Sequence, residues 1–483
     1  MKLARLAELA GISIASPAEA QVTGFAIDNR KVAPGAVFGA FQGAAVNGED
    51  FIPAAIAAGA IAVVARPQAQ VEGAVHIVAD NPRQVFARLA AQYFTPVPGT
   101  LVAVTGTNGK TSTVEMTRQI WRMAGFSAAS IGTLGVTTAD ESVTTGLTTP
   151  DIVTFLANMS GLAREGVTHV AYEASSHGLS QFRNEGLTVV AGAFTNLSRD
   201  HLDYHKTMDD YFAAKMRLFD EVVADHGTAV IWADDEWSDR AVDHARKRGL
   251  KLLTVGAKGH AIRLANRTPG QLGQQLELVH DGRVRTVNLP LIGAYQTANA
   301  LVSAGLALAT GGDPDQVFDA LGRLQPVRGR LERAAISRAG APVYVDYAHT
   351  PDALEAAIAA LRPHCAGRLI IVFGAGGDRD AGKRPEMGRV VAQQADLGIV
   401  ADDNPRGEDP AAIRAAILGG GAGKLLEIGD RRAAIAAAIA QAGCDDIVLI
   451  AGKGHEQGQI IGAGEATRVL PFDDVTVARE CAA

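Results

Sequence analysis

The stretch AVTGTNGKTST, from Ala103 to Thr113, carries the residue types needed to grip a phosphate. It follows the apolar run TLVAVTG and leads into the helical pattern TSTVEMTRQIWRMAG. Gly106 and Gly109 let backbone N–H groups approach phosphate oxygens, and the helix start adds partial positive charge. Lys110, expected to stand exposed in the loop, can reach terminal phosphates. The Thr111 hydroxyl can ligate magnesium, and Thr107, Asn108 and Ser112 complete the cradle. The spacing is shorter than the usual GxxxxGK[ST] form, because only Thr107 and Asn108 lie between the two glycines. The plain alternative is a Gly-rich turn with no ligand.

Further groups capable of chemistry stand where apolar runs stop. Glu173 ends HVAYE, and His201 lies in an Asp-rich loop after the next run. Lys215 sits in DDYFAAKMRLFD, where a solvated helix-face lysine is the ordinary reading. Packing among Phe212, Met216 and Phe219 would instead lower its pKa. For Glu173 the bland role is a helix-capping carboxylate, for His201 a surface imidazole, and for DNPR at 403–406 a strand-ending turn.

The elements that must position these groups follow from periodicity. Short apolar runs alternate with helical patterns in the order of an α/β fold with doubly wound, mostly parallel sheets. The prolines and glycine of FTPVPGT mark a boundary near 98, and a third unit begins near QPVRGRLER, giving segments 1–98, 99–328 and 329–483. In the third, PVYVDYAH, LIIVFGAGGDRD, LGIVADDNPR and IVLIAGKGHE each place polar residues beyond a strand, where open α/β sheets bind ligands. The 483 residues call for about three domains.

With 45 basic against 52 acidic residues the net charge is −7, and without a Lys/Arg-rich run this disfavours nucleic-acid binding. Three scattered cysteines, Cys365, Cys444 and Cys481, form no CxxC pair and fit a reducing cytoplasm. The opening MKLARLAELAGISIA reads as an amphipathic helix, not a signal-peptide core. No apolar stretch reaches the ~20 residues that cross a bilayer, so a soluble protein is expected.

GTNGKT is similar to the phosphate loop of ATP-dependent amide ligases of the Mur and folylpolyglutamate synthase group. With YEASSHGLSQFR, NLSRDHLDYH, YFAAKMRLF, VDYAHTPDALE, FGAGGDRDAGKRP, DDNPRGEDP and AGKGHE, the chain resembles the Mur ligases, specifically their meso-diaminopimelate-adding branch, over nearly its whole length. The resemblance implies ATP and Mg2+, with Thr111, Glu173 and His201 as metal ligands and Lys215 as an N6-carboxylysine holding a second magnesium. It places Asn299, Arg330, Asp346 and His349 around the nucleotide, although a buried, hydrogen-bonded histidine is a rival role for His349. Thr148, Thr149, Ser175, Gln181 and Arg183 match contacts to the UDP-muramoyl-dipeptide. Ile27 and Asn29 fall in the uridine pocket, Asn29 standing where serine is common. Gln296 stands where asparagine is frequent, which leaves its role open.

Arg379, Asp403, Asn404, Pro405, Arg406, Gly452 and Glu456 would receive the amino acid, Arg406 pairing with a distal carboxylate and Glu456 with the distal ammonium. The implied protein is a monomeric cytoplasmic enzyme of peptidoglycan synthesis. A lysine-adding ligase, a folylpolyglutamate synthase and a nucleotide-binding scaffold without turnover remain as alternatives.

Overall fold

A computed structural model describes residues 1–14, 19–43, 46–143 and 146–483. The contacts divide the chain into two compact units, Met1–Ile262 with Leu301–Val317, and Arg263–Ala300 with Phe318–Ala483. Unit 2 thus takes in residues 263–300, upstream of the boundary read near 328.

Unit 1 opens with a four-stranded parallel sheet, Gly24–Ala26, Ala36–Gly39, Ala62–Ala65 and Val75–Val78 in that order. AVFG and AVVA are apolar at every position because both strands are buried throughout. The helix Pro82–Tyr93 starts where the Asn81 side chain accepts from Gln84 N and Pro82 fixes the first turn. It buries Phe86, Leu89 and Ala90, and Phe86 meets Phe25 edge-on at 5.3 Å.

The second sheet of unit 1 runs Lys251–Gly256, Val223–Trp232, Val189–Phe194, Thr100–Thr105, His169–Glu173 and Ala128–Gly132, all parallel. Gly135–Thr137 and Ser142–Val143 add an antiparallel edge. From Thr100–Thr105 the chain first winds to one side of the sheet, and after Glu173 it crosses to the other. Such a reversal opens a crevice at the carboxyl ends of the central strands. The loops after Thr105, Glu173 and Phe194 all emerge there.

An antiparallel meander, Ile262–Gly270, Gly273–His280 and Arg283–Leu289, lies in unit 2 from Arg263 onward and goes beyond the strands expected from periodicity. Its signal was Asp281-Gly282 between two alternating runs, the turn chemistry of a tight hairpin. The larger sheet runs Glu332–Ile336, Pro342–Asp346, Ile447–Ala451, Leu369–Phe373, Leu397–Val400 and Leu425–Glu427, antiparallel only at the first pair. Parallel register sets Asp346 opposite Ala451 and Phe373 opposite Val400, so four strands stop at one edge. The polar clusters expected beyond strands are therefore neighbours. A hairpin, Gly458–Ile461 with Arg468–Pro471, follows the last of them. Among the described residues no helix is long and apolar enough to cross a membrane.

Candidate active site

In unit 1 the phosphate loop is built by close backbone approach. Gly106 has φ 146°, and a Cβ there would collide with Thr195 Oγ1. Gly109, at φ 85°, caps the helix Lys110–Met123. The parallel neighbour Val189–Phe194 braces the loop from its end: Thr107 N donates to Asn196 O at 2.9 Å, Asn108 N to Asn196 Oδ1 at 2.9 Å, and Thr195 Oγ1 to Asn108 O at 2.6 Å. Lys110 is the first helical residue and is half-buried, not exposed in the loop as expected. Its Nζ donates to Gly106 O at 2.9 Å and Thr107 O at 2.8 Å.

Lys215 is 1% exposed, so the solvated-lysine reading fails. The helix Met208–Arg217 aims its Nζ at the same Gly106 carbonyl, 2.8 Å away, and 4.2 Å from the Tyr211 ring centroid. Burial, reinforced by the Lys110 charge and opposed by Asp200, pushes this amine well below the ordinary lysine range. Two amines thus converge on one carbonyl, where an added negative charge would be welcomed.

Glu173 is buried and does not cap a helix; its Oε1 accepts from Thr133 N at 2.7 Å. Thr133 Oγ1 lies 3.1 Å from Thr148 Oγ1, and Thr149 Oγ1 lies 2.8 Å from Glu173 O and 3.0 Å from Ser175 Oγ. Arg183 Nη1 donates to Thr149 O at 2.8 Å, and its Nη2 to Gln181 Oε1 at 2.7 Å. Thr148, Thr149, Ser175, Gln181 and Arg183 therefore lie in one network with Glu173. His201, at φ 53°, is half-exposed, and its ring meets His177 at 4.7 Å and Tyr211 at 6.1 Å. The Tyr211 hydroxyl reaches Thr107 Oγ1 at 3.3 Å, which links this cluster to the phosphate loop. Ile27 and Asn29 follow the strand Gly24–Ala26, Asn29 opening a short turn that the Asp28 side chain caps. Among the described residues no three His, Cys, Asp or Glu side chains converge as a metal-binding group.

In unit 2, Asn299 Nδ2 donates to Gln296 Oε1 at 3.2 Å and Gln296 Nε2 to Arg330 O at 2.8 Å, which assigns Gln296 a bridging place. Asp346 accepts from Leu331 N at 2.8 Å and Ala348 N at 2.9 Å; burial raises its pKa against the pull of Arg330. Arg330 lies over the Tyr347 ring, 5.2 Å from its centroid. His349 Nδ1 donates to Tyr347 O at 2.7 Å, and burial lowers its pKa, favouring the neutral ring.

Beyond the strand Leu397–Val400, Asn404 Nδ2 donates to Glu456 Oε2 at 2.8 Å and Arg406 Nη1 to Gly377 O at 2.9 Å. Arg406 adopts φ 50°, held by its N donating to Ile460 O at 3.0 Å and its O accepting from Gly462 N at 2.8 Å. Gly452, at φ 125°, passes so close to Asp403 that a Cβ would press on its carboxylate. Arg379 is exposed, with Nη1 3.5 Å from Asp378 O.

Three family descriptions match the chain: the Mur ligase family catalytic domain over 21–95, the Mur ligase middle domain over 104–307, and the Mur ligase glutamate ligase domain over 329–454. A UDP-N-acetylmuramoyl-L-alanyl-D-glutamate–2,6-diaminopimelate ligase of Zymomonas mobilis is 63% identical over 459 residues, covering 95% of this chain and 94% of that protein. The chain belongs to the Mur ligase family. A protein of the same description from Bradyrhizobium diazoefficiens is 52% identical, with 94% and 93% covered. A solved structure of that description superposes with a TM-score of 0.76 at 34% identity, covering 100% of this Mur ligase and 99% of that chain.

Lys453 of this Mur ligase, within AGKGHE, is a site residue beyond those that the sequence points to. It is fully buried, with its Nζ 2.8 Å from Asn404 Oδ1. A lysine one glycine beyond an all-apolar strand was the available signal. Tyr211 was also missed: its pattern position reads as core, and only the fold sets its hydroxyl against Thr107.

Proposed function

We propose that this Mur ligase is an ATP-dependent amide ligase that joins meso-2,6-diaminopimelate to UDP-N-acetylmuramoyl-L-alanyl-D-glutamate, releasing ADP and phosphate, in peptidoglycan precursor synthesis. The observation that carries the reading is the Asn404–Arg406–Glu456 cluster beyond the strand ends, on a chain 63% identical to a ligase so described. An amide, a guanidinium and a carboxylate match the carboxylates and ammonium of a diamino acid. We assign 1–98 to the uridine nucleotide, 99–328 to ATP and 329–483 to the amino acid, in a cytoplasmic monomer.

In this reading the loop N–H groups and Lys110 neutralise the transferring γ-phosphoryl group as it passes to the substrate carboxylate. The acyl phosphate so formed is attacked by the amino-acid amine, and phosphate leaves. Arg183, Gln181 and Thr149 orient the nucleotide-sugar; Asn299, Arg330, Asp346 and His349 hold the nucleotide. Thr111, Glu173 and His201 suit magnesium, which supplies charge neutralisation when bound. Two or three protein ligands leave room for water and phosphate oxygens to complete its coordination. The buried, readily deprotonated Lys215 fits conversion to a carbamate that adds an anion beside Lys110.

ADP release that requires all three substrates together, and is lost in a folded Lys110→Ala variant, is the expected result. ADP release independent of the amino acid would overturn the ligase reading.

A further inference from the structure

The cations of unit 2 include one that the reaction scheme leaves unused. Lys453 is 0% exposed, and Gly452 brings it directly off the strand Ile447–Ala451 into the amino-acid pocket. Its Nζ donates to Asn404 Oδ1 at 2.8 Å and to Gly458 O at 2.8 Å. Asp403 Oδ1 and Glu456 Oε2 each stand 3.9 Å away.

A primary amide is nearly symmetric in shape, so its direction is fixed by what faces each end. One end of Asn404 meets two donors, Lys453 Nζ and Ile460 N, the latter at 2.9 Å. That end is therefore the oxygen. The amino group is committed to the opposite side, where it donates to Glu456 Oε2 at 2.8 Å. A flipped amide would set N–H groups against an ammonium and a backbone N–H, leaving buried donors unpaired. Lys453 also stands between two carboxylates that would otherwise repel each other, and through Gly458 O it ties the start of the hairpin whose far residues hold Arg406.

We propose that Lys453 is a positioning residue for the amino-acid substrate: it sets the direction of the Asn404 amide and, through that amide's bond to Glu456, the place of the Glu456 carboxylate, and so governs affinity for a diamino acid. This rests on the proposed function, which assigns Asn404, Arg406 and Glu456 to that substrate. Turnover of meso-diaminopimelate by the wild-type enzyme tests that assignment first, and the variants then test Lys453.

Steady-state rates of the full-length enzyme would be measured for Lys453→Met, Asn404→Ala and the double variant, varying each substrate in turn. With Lys453→Met, KM for meso-diaminopimelate should rise at least about tenfold, while KM for ATP and for the nucleotide-sugar changes less than about twofold. Because Lys453 acts through Asn404, the double variant should lose little beyond the worse single variant. Multiplicative losses, or equal rises in all three KM values, would overturn the proposal. Should Lys453→Met fail to fold, Asn404→Asp keeps the lysine and replaces the outward amino group by oxygen beside Glu456. It should weaken meso-diaminopimelate comparably, and an unchanged KM would overturn the proposed direction of the amide.

Discussion

Arg406→Ala isolates the group to which the proposed function assigns amino-acid choice. The main-chain hydrogen bonds of residue 406, to Ile460 O and from Gly462 N, do not involve the side chain and should survive. Alanine at φ 50° is no better suited than arginine, so the backbone gains little relief. Within the protein the variant loses the Nη1 bond to Gly377 O, a bond from a charged donor and so about 1.5–3 kcal/mol at most. The loss that the rates read falls on the substrate. A charge-assisted hydrogen bond to a distal carboxylate contributes about 1.5–3 kcal/mol, or roughly tenfold to 150-fold in kcat/KM for meso-diaminopimelate. L-Lysine lacks that carboxylate and leaves the guanidinium without its substrate partner, so its kcat/KM should fall little or rise. Initial-rate ADP release with each amino acid measures both values in wild type and variant. An unchanged ratio would refute the role given to Arg406.

Lys215→Ala should be nearly inactive, and a small carboxylic acid in the buffer should restore part of its activity; mass measurement of active enzyme under carbamate-preserving conditions showing a free amine would contradict the modified lysine. Gly132→Ala should cost about 10² in kcat, because the new Cβ would lie 2.7 Å from Glu173 Cγ and displace the carboxylate from Thr133 N. Wild-type kcat in that variant would show that the placement of Glu173 is unimportant. Burial, with Arg330 and Arg328 nearby, holds His455 down at about 4 against an ordinary 6.5. The unfolded chain therefore binds the extra proton as pH falls from 6.5 towards 4, and stability should drop through that window. His455→Gln should flatten the urea midpoint there, and an equal slope in both proteins would refute the assignment.

The strands and the loops at their ends were legible because parallel strands buried on both faces read as unbroken apolar runs. TLVAVT, HVAYE, LIIVF and IVLIA all form where their composition indicates. The meander at 262–289 is hard to read although the runs beside Asp281-Gly282 alternate, because its strands are half-exposed and Pro269 and three glycines interrupt the segment. The local chemistry of the loop glycines was also readable. What sequence spacing does not carry is depth. Lys215 and Lys453 are buried by elements far away in the chain, as Gly106 and Asn404 show by accepting from them at separations of 109 and 49 residues. The direction of the Asn404 amide likewise depends on Ile460, 56 residues on.

This Mur ligase is expected to form an amide bond to a diamino acid bearing a distal carboxylate. Purified enzyme with ATP, magnesium and UDP-N-acetylmuramoyl-L-alanyl-D-glutamate, given equal amounts of meso-diaminopimelate and L-lysine, puts this to the test when the product is weighed by mass spectrometry. The expected product carries diaminopimelate, with one ADP released for each bond. A product carrying lysine, or ADP released with no new amide, would contradict that expectation.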